Sequence, residues 1–250
     1  MSSRSHPTCY AAGLGDCAGK ITKEHFISAA LIKYRQPDPS RIDLAGVGGN
    51  QQPTGVQRLA NRKMLCERHN SQLSILDEEV YRLVQTIFEF NRGERTLVDE
   101  EFDGNLITRW MQKYLYGASV AFPTDVPLSA KIDRLQLLRY LFGHDVLPDN
   151  WGLLIPHVFT LDNFYTEYQE GYPSWAVGPL PYPGEDHIGA EMQIFPVRFR
   201  YVPNIGPFTG DERYRPKRIT LTLPSRKAVI DIAWKGFSGG DVNYSLREGK

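Results

Sequence analysis

The chain has 250 residues, 41% of them apolar, with 29 basic and 29 acidic side chains. That is enough apolar material for one large domain or two ordinary ones, and the zero net charge excludes a protein coated in positive charge. The longest apolar stretches, such as WGLLIP, fall far short of the roughly 20 residues that span a bilayer. MSSRSHPTCYAAG has no apolar signal region, so a cytoplasmic protein with no membrane partner is expected.

The first segment carries an excess of positive charge. Residues 1–70 hold ten basic side chains against Asp16, Glu24, Asp38, Asp43 and Glu67, an imbalance that suits a phosphate-bearing partner. The three cysteines, Cys9, Cys17 and Cys66, cannot all pair with one another, and a reducing cytoplasm keeps them as thiols, which leaves packing or metal. Zinc takes about four ligands in a tetrahedron, usually from two short knuckles. Cys66 and His69 form a C-x2-H pair, and Cys9 with Cys17 forms the other half across a seven-residue insert. His6-x2-Cys9 is a competing pair in which His6 would displace Cys17. Glu24-His25 follows in a predicted strand or hairpin, and RQPDPSRIDLAGVGGNQQPTG predicts an extended loop from its Gly and Pro content.

From Ser71 the spacing of Leu73, Leu76, Val80, Leu83, Val84 and Ile87 predicts a helix over 71–91, with Asp77, Glu78 and Glu79 favouring its N-terminal dipole. Residues 93–104 read as an acidic connector, and two further helices are expected over 106–121 and 131–143. Beyond 150, LLIPHVFTL, AEMQIFPVRFRYV and RITLTLPSRKAVIDIAW read as strands. Arg198 and Arg200 alternate with apolar residues and so share one strand face, either solvated or facing nucleic acid. His144, His157 and His187 have no evident partner, and the tail FSGGDVNYSLREGK reads as loose.

The order C-A-G-K-I-T-K-E-H-F-I-S at 17–28, then N-R-K-M-L-C-E-R-H-N at 61–70, resembles the zinc-stabilised HNH nucleases of the ββα-metal class, which include phage resolvases and many bacterial proteins. The resemblance covers about residues 9–92. It implies a catalytic site in which Glu24 and Asn70 bind Mg2+ or Mn2+, His25 activates water, and Asn61 holds the loop carrying that base. It also implies a structural Zn2+ held by the two knuckles. The chain departs from the pattern in its C-x7-C spacing, in Glu24 where Asp is usual, and in His69 where a second cysteine is commoner. The expected fold is α+β: an N-terminal zinc-stabilised, treble-clef-like ββα-metal unit, then a helical segment, then a C-terminal antiparallel β-rich region. Residues 1–98 would form the nuclease-like domain and 104–250 a second domain for target recognition or regulation. The function implied is DNA endonuclease, with RNA as a second substrate class. The alternatives are a nucleic-acid-binding protein that does not cut and an interaction or ligand-sensing protein acting through residues 104–250.

Overall fold

A computed structural model describes residues 6–31, 63–123, 126–156, 175–182, 185–194, 196–203, 212–236 and 238–245. Near the N-terminus a 3-10 turn, Ala12–Leu14, precedes a hairpin of β1 (Ile21–Lys23) and β2 (Lys63–Cys66), which pair antiparallel. The chain runs from β2 straight into α1 (Glu67–Gln72), and Leu73 links α1 to α2 (Ser74–Asn91). Leu73, Leu76, Val80, Leu83, Val84 and Ile87 are all buried, as the helical spacing predicts.

The polar stretch expected as a connector contains β3 (Leu97–Asp103). Its acidic residues disguised an alternation in which only Val98 and Phe102 are buried. Glu100 is held by Arg82 and Arg95, which lets an acidic strand lie beside a helix. Asp103 then caps α3 (Gly104–Ala121), accepting from the backbone N–H groups of Asn105 and Leu106 at 2.7 and 3.1 Å. Asp133 caps α4 (Arg134–Leu141) in the same way.

The remaining strands are β4 (Gly152–Pro156), β5 (Trp175–Tyr182), β6 (Glu185–Ile194), β7 (Val197–Val202), β8 (Glu212–Tyr214), β9 (Arg218–Leu223), β10 (Arg226–Ala233) and β11 (Asp241–Ser245). β4 to β8 form a five-stranded antiparallel sheet in the order β5-β6-β7-β4-β8. The other sheet, β11-β9-β10-β3, departs from the antiparallel expectation. β3 runs parallel to β10 and β11 parallel to β9, so the sheet is mixed. The tail expected to be loose supplies β11, because Val242 and Tyr244 alternate inward.

α3 packs against α2, α4 and strands of both larger sheets, and its buried face includes Ile107, Trp110, Met111, Tyr114 and Leu115. The buried cluster runs continuously from Cys9 and the hairpin through α2 and α3 to Val242, across the boundary expected between 98 and 104. Residues on both sides of β1 dock on α3: the Phe26 ring lies 6.0 Å from that of Tyr114, and the Tyr10 ring 5.2 Å from that of Tyr116.

Gly117 of α3 makes this approach feasible, since a Cβ there would stand 2.5 Å from the Phe26 Cβ. Gly117→Ala should therefore destabilise the fold by about 1–2 kcal/mol, although alanine favours helix by about 1 kcal/mol. Denaturant unfolding should show a lower midpoint with an unchanged slope. A midpoint at or above the wild-type value would show that the contact relaxes without cost.

Candidate functional site

Three separate stretches meet at the hairpin. Cys66 ends β2 in an extended conformation, φ −73° and ψ 160°, and His69 follows in the first turn of α1. That step from strand to helix brings the Cys66 Sγ within 3.1 Å of His69 Nδ1. Gly19 adopts a left-handed φ of +76° after Cys17, and the turn lets the Ala18 and Lys20 carbonyls accept from the N–H groups of Arg68 and Glu67 at 3.2 and 2.8 Å. Cys9 is drawn in by its own sulfur, which accepts from the Cys66 N–H at 3.4 Å, and by Tyr10, whose N–H donates to the Met64 carbonyl at 2.9 Å.

The ligand atoms of Cys9, Cys17, Cys66 and His69 lie within 4.8 Å of one another, and all four residues are buried. The Cys9 and Cys17 sulfurs are 3.5 and 3.8 Å from His69 Nδ1. A tetrahedral ion with metal–sulfur distances of about 2.3 Å and metal–nitrogen of about 2.0–2.1 Å separates S from N by about 3.6 Å, so the cluster could hold a metal ion. Between the two alternatives for the first half-site, Cys17 rather than His6 stands with the other three.

The outer shell fits the same role. Asp16 lies 2.8 Å from His69 Nε2, which places the ring proton there and leaves the Nδ1 lone pair facing the sulfurs. Arg68, at 3.1 Å, and His144, at 3.9 Å, flank the same carboxylate. Burial pushes the Cys9 thiol up to about 12. Burial acts most strongly on Cys66 and pushes its thiol up, but hydrogen bonds from the His69 and Ala18 backbone and from the Cys17 and Cys9 side chains together outweigh it, and the thiol is lowered. His69 is lowered by burial against the pull of Asp16, so its imidazole is neutral and able to ligate.

Glu24 and His25 directly follow β1, and the Asn70 side chain reaches the end of that strand. Asn70 follows His69, and its Nδ2 donates to Thr22 Oγ1 at 3.0 Å and to the Lys23 carbonyl at 3.1 Å, which turns its Oδ1 away from the strand. The amide is thereby fixed beside the residue that precedes Glu24-His25. His25 is half-buried, and burial, then Lys113 and Lys23, lower its pKa from the usual 6.5 against Asp77. Asn61 lies outside the described residues.

Glu24 points inward and is only 2% exposed, 3.0 Å from the Lys113 ammonium on α3. Lys113, itself 1% exposed, also donates to both carboxylate oxygens of Asp77 on α2, at 2.8 and 2.7 Å. Trp110 donates to Asp77 as well, at 2.9 Å. Burial of Glu24 outweighs Lys113 and raises its carboxyl to about 7. These donors do not fit a hard divalent cation as arranged. A dication on the Glu24 carboxylate would lie about 4–5 Å from the ammonium, a gross repulsion of roughly 7 kcal/mol at an effective dielectric of about 20. Such a cation also keeps several waters, for which a buried carboxylate leaves no room.

Asp16 and Lys113 have no place in the site that the sequence pattern implies, and Asp77 figures there only as an acid at the start of a helix. Asp16 adjoins Cys17, a signal that was there to use, whereas Lys113 is one charged residue inside an apolar helical pattern. Arg198 and Arg200 both reach Glu191, at 3.6 and 2.6 Å, so one carboxylate offsets part of the charge of the two guanidinium groups. No helix among the described residues is long and apolar enough to cross a membrane. Compared with family models, curated proteins and solved structures, the chain matches none.

Protein purified without chelator should contain about one bound metal ion per chain by elemental analysis, and His69→Ala should lose it. Asp16→Asn should keep the ion but bind it about 10–100-fold more weakly in a chelator competition. Metal-free wild type, or wild-type affinity in Asp16→Asn, would contradict the first and second expectations respectively.

Proposed function

We propose that the chain is a zinc-stabilised HNH-type endonuclease that hydrolyses phosphodiester bonds in DNA. The observation that carries this reading is the bond from Asn70 to the Lys23 carbonyl. It ties the residue after the last cluster ligand to the strand end that leads into Glu24-His25, the juxtaposition that the HNH resemblance implies. Three cysteines and one histidine, all buried, form a soft, closed donor set that suits structural Zn2+ over Mg2+ or Ca2+. In this reading β1, β2 and α1 with α2 are the ββα-metal unit, and the ion locks the hairpin to the helix start.

His25 is the base. Its lowered pKa keeps the imidazole neutral near pH 7, so it can accept a proton from water. As the water oxygen bonds to phosphorus, its proton passes to His25, the bond from phosphorus to the departing sugar oxygen breaks, and that oxygen takes a proton from solvent. Asn70 holds the strand end in place through its Nδ2 bonds to Thr22 and the Lys23 carbonyl. Lys23 and Lys63 are exposed and directly opposed across the hairpin. Opposed like charges are unfavourable on their own, and a phosphate backbone lying across them removes that repulsion.

A DNA-binding protein that does not cut is the second reading, favoured by one observation: Glu24 is already engaged by Lys113. Plasmid nicking with Mg2+, with Mn2+ and with chelator, wild type against His25→Ala, separates the two. The nuclease reading expects His25→Ala to lower cleavage at least about 100-fold while zinc content and melting temperature hold. Because His25 must be neutral to act and its pKa is lowered, the acid limb of the wild-type rate profile should fall below pH 6.5. Wild-type protein that binds DNA but never cuts, with all three additions, would leave the binding reading standing.

A further inference from the structure

The chain places an ammonium where the HNH resemblance asks for a divalent cation. Lys113 comes from the middle of α3, far outside the stretch that carries the resemblance, and reaches the end of β1 through the core. Its Nζ lies 3.0 Å from Glu24 and 2.7 and 2.8 Å from the two oxygens of Asp77. Glu24 and Lys113 are both almost completely buried, and Asp77 is one-quarter exposed. Trp110 donates to Oδ1 of the same Asp77 carboxylate, so the group that orients Lys113 is itself fixed.

We propose that Lys113 is a positioning residue of the hairpin site, whose ammonium is the resident counter-charge of Glu24 and takes the place of a metal ion there. Glu24 then serves as an anchor that holds the residue before His25 against α3, and it does not ligate a cation while Lys113 is present. A strand of three residues has little of its own to fix where its last side chains point. An ion pair reaching into a rigid helix supplies that fixing, and Phe26 packing on Gly117 and Tyr114 supplies it one turn of chain later.

This inference concerns a residue that the nuclease reading names, and it is tested by cation binding, whereas that reading is tested by cleavage. Free Mn2+ is followed by electron paramagnetic resonance while it is titrated into zinc-loaded protein. With Lys113 in place, Glu24→Gln should leave Mn2+ affinity within three-fold of wild type, and no measurable binding in either protein counts as equality. Lys113→Met should raise the affinity at least ten-fold by uncovering the carboxylate, and the gain should disappear in Lys113→Met with Glu24→Gln. A merely structural lysine would not produce a gain that depends on Glu24. The proposal is overturned if Glu24→Gln alone weakens Mn2+ binding more than three-fold, or if folded Lys113→Met shows no gain. Should Lys113→Met fail to fold, the Glu24→Gln comparison decides alone.

Discussion

Four ligand atoms drawn from three stretches of chain, all within 4.8 Å, are the constraint on which the hairpin depends. β1 has three residues and β2 four, and an isolated two-stranded hairpin of that length is at best marginal in water. Its own hydrogen bonds cannot offset the entropy of bringing together two strands so far apart in sequence. A metal ion on the cluster would change the balance, because it would bind the folded arrangement and not the open one. The protonation state points the same way. A thiol pushed to about 12 stays neutral until a cation draws the proton off, so loading of the cluster would be coupled to folding of the hairpin.

α3 supplies the wall against which that hairpin is aimed. One face of the helix offers Lys113, Tyr114, Tyr116 and Gly117 to the N-terminal segment, while Gln112 donates to the Tyr201 hydroxyl on β7 at 3.1 Å. The same helix therefore reads the position of the hairpin and of the five-stranded sheet. Burying the Lys113, Asp77 and Glu24 charges costs solvation that their attraction only partly returns. An apolar trio of the same volume could pack as firmly, but it would not select one orientation of the strand end. The ion triad makes sense as a device for direction more than for stability.

Much of this was legible in the sequence where one physical rule dominated. Helical spacing fixed α2 and the buried identity of Leu76, Val80 and Ile87, and knuckle spacing found Cys66 and His69. Counting cysteines added Cys9 and Cys17 but left His6 open, since ligand choice depends on how the turn at Gly19 closes. β3 and β11 were hidden because their inward residues, Val98 with Phe102 and Val242 with Tyr244, are separated by acidic or polar neighbours that locally look like solvent-facing loop. A parallel partner hundreds of ångströms of extended chain away leaves no local trace, and β3 with β10 is such a pair. Lys113 was illegible for a related reason. Inside an amphipathic helix a lysine ordinarily snorkels to water, and only the fold reveals two carboxylates waiting for it.

The hairpin thus handles its charge in two ways, and the chemistry of each donor set determines which. Sulfur and imidazole are soft, and buried thiolates are tolerable only on a metal. Carboxylates are content with an ammonium, which needs no hydration shell once its donors are used. With Glu24 committed inward, the groups left beside the end of β1 are the His25 imidazole, the Asn70 side chain and the opposed Lys23 and Lys63. In the nuclease reading proposed above, that set would offer a neutral base and two cations to a phosphodiester, an anion with an electrophilic phosphorus. The positive charge that would hold such a ligand is separate from the atoms that would hold a metal, so on that reading binding at the lysines would respond to salt and the cluster to chelation.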